Sequence, residues 1–419
     1  MTHHVVRAKC ARLLGSVLIL CAPAIAPAET LSIDRALALA EQHSPRLKTA
    51  QAEVERARSG IRTAQAYANP EIEALTGGVR GRVPGVTSGQ GVSVSIGQPI
   101  DLPTQRAPRI RSAEFGLESS KFALQEMRLL LRADVKQAFY LALRRKAEYE
   151  LAQDNLRLLE EIRKRIELSV SVGERAKFEL VRVDAELASA KNQTASAQLR
   201  VSQALAQLRV LVAAPLPDIL DVAGDLVVNP SVGDLGTLRV RLTSQYPALR
   251  RMQAEVNRQQ ARLDSERALR TPRPTLFLGV DRDPEQTRSL FGVSIPIPLW
   301  DQRQGPIGEA VGSFQQASMV AEQARLELLG ELEVAYNRFL VARQQVAAFE
   351  GGMIRQAENA LKVAEAAYRF GERGFLEVLD AQRVLRSIRA DFLTARFEKQ
   401  AALVELERLT TTDVPGESK

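Results

Sequence analysis

One stretch of sequence that occurs twice decides the fold. It reads GERAKFELVRVDAEL at Gly173–Leu187 and GERGFLEVLDAQRVL at Gly371–Leu385, with the same Gly-Glu-Arg start and the same apolar spacing behind it. Two further pairs recur in the same order, SPRLKTAQAEVERAR at 44–58 with YPALRRMQAEVNRQQ at 246–260, and VSIGQPI at 94–100 with VSIPIPL at 293–299. Three ordered matches, all about 200 residues apart, indicate a tandem duplication.

The first 28 residues are typical of a secretory signal peptide. A basic start is followed by an apolar run at 13–21 and by the small residues APA at 26–28. The apolar run is too short to span a bilayer as a helix. Cys21 is a poor candidate for lipid attachment, because the bulky Leu20 precedes it. We therefore expect cleavage after residue 28.

The composition argues against a nucleic-acid-binding protein and against a thick globular domain. Cleavage would remove both cysteines and three basic residues, and would lower the formal net charge from +7 to +4. The remaining Lys and Arg residues alternate with Asp and Glu and form no basic block, so we expect no nucleic-acid partner. Aromatic residues make up only 5% of the chain, which argues against a thick globular core.

The sequence lacks the usual signatures of enzymes. It contains no HExxH, GxGxxG or GxxxxGK[ST] motif, and after cleavage His43 is its only histidine. Soft metal sites need Cys, Met or His ligands, of which few remain. We therefore expect no enzyme, no cofactor and no tight metal site.

Each copy of the repeat predicts the order helix, strand, strand, long helix, shorter helix. The first repeat is predicted at 29–213 and the second at 235–410, with a linker at 214–234 and a flexible C-terminal tail at 411–419. The predicted elements of the first repeat are a helix at 33–68, strands at 71–80 and 90–100, and a hairpin at 109–213. Those of the second are a helix that ends at Arg270, strands at 275–282 and 288–299, and a hairpin at 307–410 that contains an unbroken helix at 307–370.

The helices are too long for a globular domain of this size. The stretch from Arg109 to Val172 would measure about 96 Å as a helix, so it must project as a column. The shorter helix behind it has coiled-coil spacing. Its predicted seam consists of Val183, Leu187, Ala190, Thr194, Ala197, Val201, Ala204, Leu208 and Leu211. Many of these are alanines that bury little area, so we expect partner chains to complete the packing.

The strands show alternation of apolar and polar residues. Val92, Val94 and Ile96 alternate with small or polar residues, as in an outer-membrane barrel, although a soluble sheet shows the same pattern. Four strands cannot close a barrel, whereas twelve strands from three chains can. Trp300 fits the aromatic belt at a membrane interface, and ordinary packing is the alternative role.

With these features the chain resembles the TolC family of outer-membrane efflux channels. The resemblance covers nearly the whole mature chain and includes YRFGERGFLEVLDAQ at 368–382. QPIDL at 98–102 and VSIPIPLWDQRQG at 293–305 are most similar to the CzcC branch, which serves heavy-metal efflux. The resemblance implies a homotrimer in the outer membrane of a Gram-negative bacterium. Its twelve-stranded β-barrel would contact outer-membrane lipid and continue as a twelve-helix coiled tunnel in the periplasm. A periplasmic membrane-fusion adaptor would join it to an inner-membrane pump of the RND type.

The resemblance also implies a gate at the periplasmic end. Glu377 and Asp380, three residues apart and therefore on one helical face, match positions that constrict the tunnel entrance. In a trimer they would form carboxylate rings that favour cations. Tyr368 and Arg373 match the links that hold the entrance shut, with Glu179 as the partner on the first hairpin.

Three more positions complete this prediction. Gly173 and Gly371 would end the long helices and let the chain reverse. Arg182 occupies the place of Asp380 in the first hairpin, where it could pair with an acidic ring. The alternative is that all these charges are solvated and contribute little.

The predicted function is that of a passive exit duct for divalent heavy-metal cations or other small toxic compounds. One alternative is the exit duct of a type I protein-secretion system or of an organic-drug efflux system. A second alternative, from another class, is a soluble periplasmic coiled-coil adaptor. An adaptor would need a lipoyl-like β domain between its hairpin arms, and the sequence predicts none.

Overall fold

A computed structural model describes residues 29–80, 82, 85, 87–217, 219–226 and 232–411. The predicted signal peptide at 1–28, residues 412–419 of the predicted tail, and positions 218 and 227–231 of the predicted linker lie outside the described residues. The described chain is mostly helical with a small sheet part, as predicted.

The elements recur in one order. They are β1 (Glu29–Leu31), α1 (Ile33–His43), α2 (Pro45–Gln65), β2 (Glu71–Val79), β3 (Gly89–Pro99), α3 (Pro103–Ser171), α4 (Lys177–Val212), β4 (Leu220–Val222), α5 (Leu235–Gln245), α6 (Pro247–Ala268), β5 (Thr275–Arg282), β6 (Thr287–Ser294), α7 (Gln304–Ala348), a π-helical segment (Phe349–Met353), α8 (Ile354–Arg369) and α9 (Phe375–Thr410). A helix pair, a strand pair and a helical hairpin thus follow each other twice.

The first helix of each repeat is divided in two. The unbroken helix predicted at 33–68 is interrupted at Ser44, whose ψ of 121° is not helical, and Pro45 begins α2. Tyr246, with a ψ of 124°, and Pro247 make the same break between α5 and α6. A proline disfavours the helical conformation of the residue before it and is well placed at the first position of a helix.

The two hairpins differ in their long helices. In the first hairpin, α3 is continuous over 69 residues, about 100 Å, and begins at Pro103 rather than at the predicted residue 109. In the second hairpin, the unbroken helix predicted at 307–370 is interrupted by the π-helical segment between α7 and α8. Gly352 has a φ of 146° there, a conformation that only glycine adopts readily.

The larger sheet contains four antiparallel strands in the order β2-β3-β5-β6. Consecutive repeats therefore meet through β3 and β5, while β2 and β6 lie at the edges. The strand predicted at 288–299 ends at Ser294, because Pro296 and Pro298 have no N–H group to pair with a neighbouring strand.

A second, two-stranded sheet was missed by the sequence analysis. It pairs β1 with β4 in parallel, in a part of the chain predicted as the start of the first repeat and as a linker. Lys146 of α3 holds this sheet in place, since its Nζ lies 2.8 Å from both carboxylate oxygens of Asp221 and 3.2 Å from the carbonyl oxygen of Val222.

Buried apolar side chains form three clusters along the helices. The first surrounds Phe139 and Leu208, the second surrounds Tyr246 and Leu332, and the third lies near the hairpin turns. At the seam predicted for α4, the buried positions are Val183, Leu187, Ala190, Ala197, Ala204 and Leu208, and the half-buried ones are Thr194, Val201 and Leu211. In the part of the chain that the structure describes, no helix is both long and apolar enough to cross a membrane.

Candidate functional site

Each of the two Gly-Glu-Arg turns closes a long helix with the same hydrogen bonds. The N–H of Gly173 donates to the carbonyl oxygen of Val170 at 3.1 Å, and that of Glu174 donates to Ser169 at 3.0 Å. The second turn repeats both bonds at Gly371 and Glu372, with distances of 3.1 and 3.0 Å. This is a Schellman motif, which needs a left-handed residue at its centre. Gly173 and Gly371 supply it with φ values of 80° and 75°.

A polar contact joins the two hairpins beside these turns. The Tyr368 hydroxyl of α8 donates to Oε2 of Glu179 in α4 at 3.4 Å. Arg175 completes the group, because its Cζ lies 3.9 Å from the centre of the Tyr368 ring and its Nη1 lies 3.4 Å from the same Glu179 oxygen. Two predicted latch residues, Tyr368 and Glu179, therefore lie together within one chain. We call Arg175, Glu179 and Tyr368 the inter-hairpin triad.

The triad lies against an apolar cluster that belongs to both hairpins. The Phe375 ring is 5.5 Å from the Tyr368 ring and packs with Ile166 of α3 and Val183 of α4. Burial, followed by the negative charge and hydrogen bond of Glu179, raises the pKa of Tyr368 to about 12. The phenol therefore stays protonated at neutral pH and can act as a hydrogen-bond donor.

Arg373, the third predicted latch residue, lies elsewhere. Its Nη1 lies 2.9 Å from Oε1 of Glu377, one helical turn away on its own hairpin. The Arg373 side chain is 62% exposed, whereas that of Arg175 is 27% exposed. A single chain thus brings Arg373 to a predicted constriction residue and not to Glu179.

Arg175 is the residue that the sequence analysis did not assign. The same offset that aligns the two Gly-Glu-Arg turns aligns Arg175 with Arg373 and Glu179 with Glu377. Both hairpins therefore carry an Arg-Glu pair four residues apart, a spacing that lets side chains meet on a helix. Tyr368 has no equivalent, because valine occupies its place in the first hairpin at position 170.

The predicted constriction residues are accessible in the single chain. The Asp380 side chain is 71% exposed, and Arg383 lies 3.7 Å from it. Arg383 also forms an ion pair with Glu186 of α4, which is a second link between the hairpins. In the part of the chain that the structure describes, Arg182 forms no ion pair. The second hairpin therefore carries two carboxylates on one helical face, Glu377 and Asp380, and an arginine lies near each of them.

The four-stranded sheet has two chemically different faces. In β3 and β5 most of the exposed side chains are apolar, whereas the residues between them are more buried and, apart from Phe277 and Pro99, small or polar. Rows across the sheet follow the register, as in Ala74, Val94 and Val280. On the opposite face the Ser93 hydroxyl donates to the Asp281 carboxylate. An apolar outer face of this kind needs a hydrophobic environment.

Trp300, predicted directly after a strand at 288–299, lies instead between the sheet and the helices. β6 ends six residues before it, and α7 begins at Gln304. The Trp300 side chain is 91% exposed, and exposed apolar side chains precede it at Ile297 and Leu299. A metal site is not formed by the described residues of a single chain, since no three His, Cys, Asp or Glu side chains among them lie together.

Comparison with known proteins matches both copies of the repeat. The family model described as outer membrane efflux protein matches residues 36–214 and again residues 238–412. The cobalt-zinc-cadmium resistance protein CzcC of Cupriavidus metallidurans is 27% identical over 381 residues, which cover 90% of each protein. The nickel-cobalt-cadmium resistance protein NccC of Alcaligenes xylosoxydans xylosoxydans is 26% identical over 72% of this chain and 68% of its own length.

The fold is shared with a solved channel. The crystal structure of CusC, reported for its conformational changes on folding and transmembrane channel formation, aligns with a TM-score of 0.77 at 19% identity, over 90% of this chain and 91% of CusC. The predicted resemblance to outer-membrane efflux channels is confirmed, and the alternative of a soluble adaptor is wrong. The chain belongs to the outer membrane efflux protein family and is an outer-membrane channel that extends into the periplasm.

Proposed function

We propose that this channel is the exit duct of a tripartite system that exports divalent heavy-metal cations. The match to CzcC, named for cobalt, zinc and cadmium resistance and aligned over 90% of both chains, carries this proposal. NccC, which is named for nickel, cobalt and cadmium resistance, supports the same class of substrate. A periplasmic adaptor and an inner-membrane pump of the RND type would supply the connection and the energy.

The proposed assembly is a homotrimer. β2 and β6 are the edges of the sheet, so each has one side without a partner strand among the described residues. Exposed edges invite pairing with another chain. Pairing β6 of one copy with β2 of the next would join three sheets into a closed barrel of twelve strands with its apolar face outward. Three helical hairpin pairs would continue it as a tunnel of twelve helices.

The proposed gate combines the inter-hairpin triad with the acidic ends of the second hairpins. Around a threefold axis, Glu377 and Asp380 would form rings of carboxylates, and such rings attract cations. The triad would hold the second hairpin against the first and so keep the rings narrow. We expect Arg373 to set the charge of the ring through its contact with Glu377.

The substrate class can be tested by gene deletion in the native host. A deletion strain would be grown on a panel of cobalt, zinc, cadmium and nickel salts and on a panel of organic toxicants, with the wild-type gene returned as the control. We expect the deletion to lower the inhibitory concentration of the metal salts severalfold and to leave the organic panel unchanged. Sensitivity to organic toxicants alone would contradict the proposal and favour an organic-drug efflux system.

A further inference from the structure

We infer that the outer face of the sheet carries a binding site for the phosphate groups of lipid A, the phosphorylated glycolipid of the outer leaflet. The site consists of Arg282 at the end of β5 and Arg80 directly after β2. This inference rests on the proposed barrel, because the barrel gives the apolar face of the sheet its contact with lipid.

The register places Arg282 on the lipid-facing side. Side chains of β5 alternate, and Arg282 is exposed on the same face as Leu276, Leu278 and Val280. The row that contains Arg282 also holds Thr76 and Val92 and lies directly beyond the apolar row of Val280. The exposed apolar rows of the sheet therefore end at the row that contains the positively charged Arg282.

The chain connections identify this end of the band as the outer one. All helices join the sheet at the opposite end, through the residues before β2 and β5 and after β3 and β6. The ends of β2 and β5 that carry Arg80 and Arg282 therefore lie at the far end of the sheet from the helices. Since the helices extend into the periplasm, this end of the sheet would lie at the extracellular surface.

The carboxylates near this end are already engaged. Asp281 points to the other face, where it accepts from Ser93. Asp283 accepts the N–H groups of Glu285 and Gln286 at 2.9 and 2.8 Å. Oε1 of Glu285 accepts from the N–H of Thr87 at 2.7 Å.

Among the described residues, Arg80 and Arg282 have no carboxylate partner within ion-pair distance. Both side chains are exposed, and neither forms an ion pair with any residue that the structure describes. An arginine on the lipid face of a barrel is costly at the middle of the membrane and nearly neutral at the interface. Arg282 therefore marks the headgroup level of the outer leaflet.

The chemistry of that level favours a phosphate ligand. Arginine binds phosphate through parallel N–H···O bonds, and each basic residue near an anionic lipid surface strengthens binding about fivefold. Lipid A carries phosphates on its headgroup and several acyl chains below it. The phosphates would contact the two arginines, and the acyl chains would contact the apolar rows of the sheet. A trimer would carry three such sites around the barrel.

Native mass spectrometry of the purified full-length protein in detergent would test this site. The probes are lipid A with both phosphates, the same lipid A without phosphates, and phosphatidylglycerol. The variants are Arg80→Gln with Arg282→Gln, and Arg282→Lys, which keeps the charge. Arg288→Gln is the matched control, because Arg288 lies at the same end of the sheet but pairs with Asp283 on the other side of the β5–β6 turn.

We expect the double variant to bind phosphorylated lipid A more weakly, by about fivefold for each arginine removed. Arg282→Lys and Arg288→Gln should stay within about twofold of the wild type, and added salt should weaken binding. Equal binding by the double variant, an equal loss in Arg288→Gln, or equal binding of dephosphorylated lipid A or of phosphatidylglycerol would overturn the inference. The same spectra show the number of chains, so a wild-type protein found only as a single chain would contradict the proposed assembly, whereas equal lipid A binding by trimers of the wild type and of the double variant would contradict only the lipid site.

Discussion

Arg175 and Arg373 occupy the same position of two repeated turns and yet have different surroundings. Arg175 lies over the ring of Tyr368 and beside Glu179, whereas Arg373 is mostly exposed and contacts Glu377. The difference follows from one residue, since a tyrosine precedes only the second turn at this spacing. Duplication thus produced two similar turns of which only one contributes an arginine to the contact between hairpins.

The triad should restrain the closed channel through Arg175. We expect Arg175→Ala to raise the resting conductance in planar bilayers severalfold, because a partly desolvated cation–π contact and an ion pair together stabilise by about 1 to 2 kcal/mol. Tyr368→Phe should act in the same direction. Arg157→Ala removes an exposed arginine of α3 and is the control that should leave conductance unchanged. A larger effect from Arg373→Ala than from Arg175→Ala would contradict this assignment.

The pKa of Tyr368 gives a second prediction. A tyrosine with a pKa of about 12 in the folded state and about 10 when unfolded favours folding at neutral pH, and this contribution is lost as the pH rises from 10 to 12. Ionisation of Tyr368 would place its negatively charged phenolate beside the Glu179 carboxylate, and the two negative charges would repel each other. Ultraviolet titration of wild type and Tyr368→Phe should differ by one phenol that titrates near pH 12. A difference that titrates near pH 10 would show that Tyr368 is not held as described.

Sequence reasoning reached part of this site. The repeated turn predicted the two glycines, which have the left-handed conformation that a helix-ending turn needs. The resemblance suggested Tyr368 and Glu179, which lie within hydrogen-bond distance of each other in the structure. It did not identify Arg175, because the sequence cannot tell which of two equivalent arginines faces the neighbouring hairpin. That choice depends on the packing of α8 against α4.

At the level of elements, glycine and proline set most of the boundaries. Pro45 and Pro247 divide the first helix of each repeat, and Pro296 ends β6 early. These breaks were readable in the sequence, although the helix predicted at 33–68 ran through Pro45 and the strand predicted at 288–299 ran through Pro296. β1 and β4 were not readable, since strands of three residues carry too little pattern to detect.

The two glycine turns should be sensitive to a side chain. Gly173→Ala and Gly371→Ala place alanine at φ values of 80° and 75°, which should cost about 1 to 2 kcal/mol each and lower the apparent melting temperature. Gly60→Ala is the matched control, because Gly60 lies in α2 with open space around it, and alanine there should stabilise by up to about 1 kcal/mol. Circular dichroism against temperature would measure all three, and equal melting temperatures would contradict the role of the turns.

At the level of the whole molecule, one chain leaves much apolar surface in contact with water. Phe291 is 77% exposed on the sheet, and Val210 and Leu199 are 78% and 71% exposed on α4. Exposed apolar surface of this extent marks contacts with lipid or with other chains. The sequence predicted this need from its alanine-rich seams and from its four strands, which are too few to close a barrel, but a single chain does not determine which surfaces meet.

The proposed acidic rings give the assembly a measurable selectivity. Glu377→Gln together with Asp380→Asn should reduce the preference for cations, because the rings would lose their negative charge. The reversal potential in a salt gradient measures this preference. Glu372→Gln with Glu365→Gln removes two carboxylates from the same hairpin and is the control that should shift the potential less. A reversal potential that does not move in the first variant would contradict the ring.

The central claim is that this duplicated chain, with a sheet open at both edges, works only as three copies around a common channel. Light scattering coupled to size-exclusion chromatography in detergent measures the protein mass of the assembly without regard to its shape. We predict a mass close to three times that of the mature polypeptide. A mass equal to that of a single polypeptide, from protein that still conducts ions in bilayers, would contradict the account.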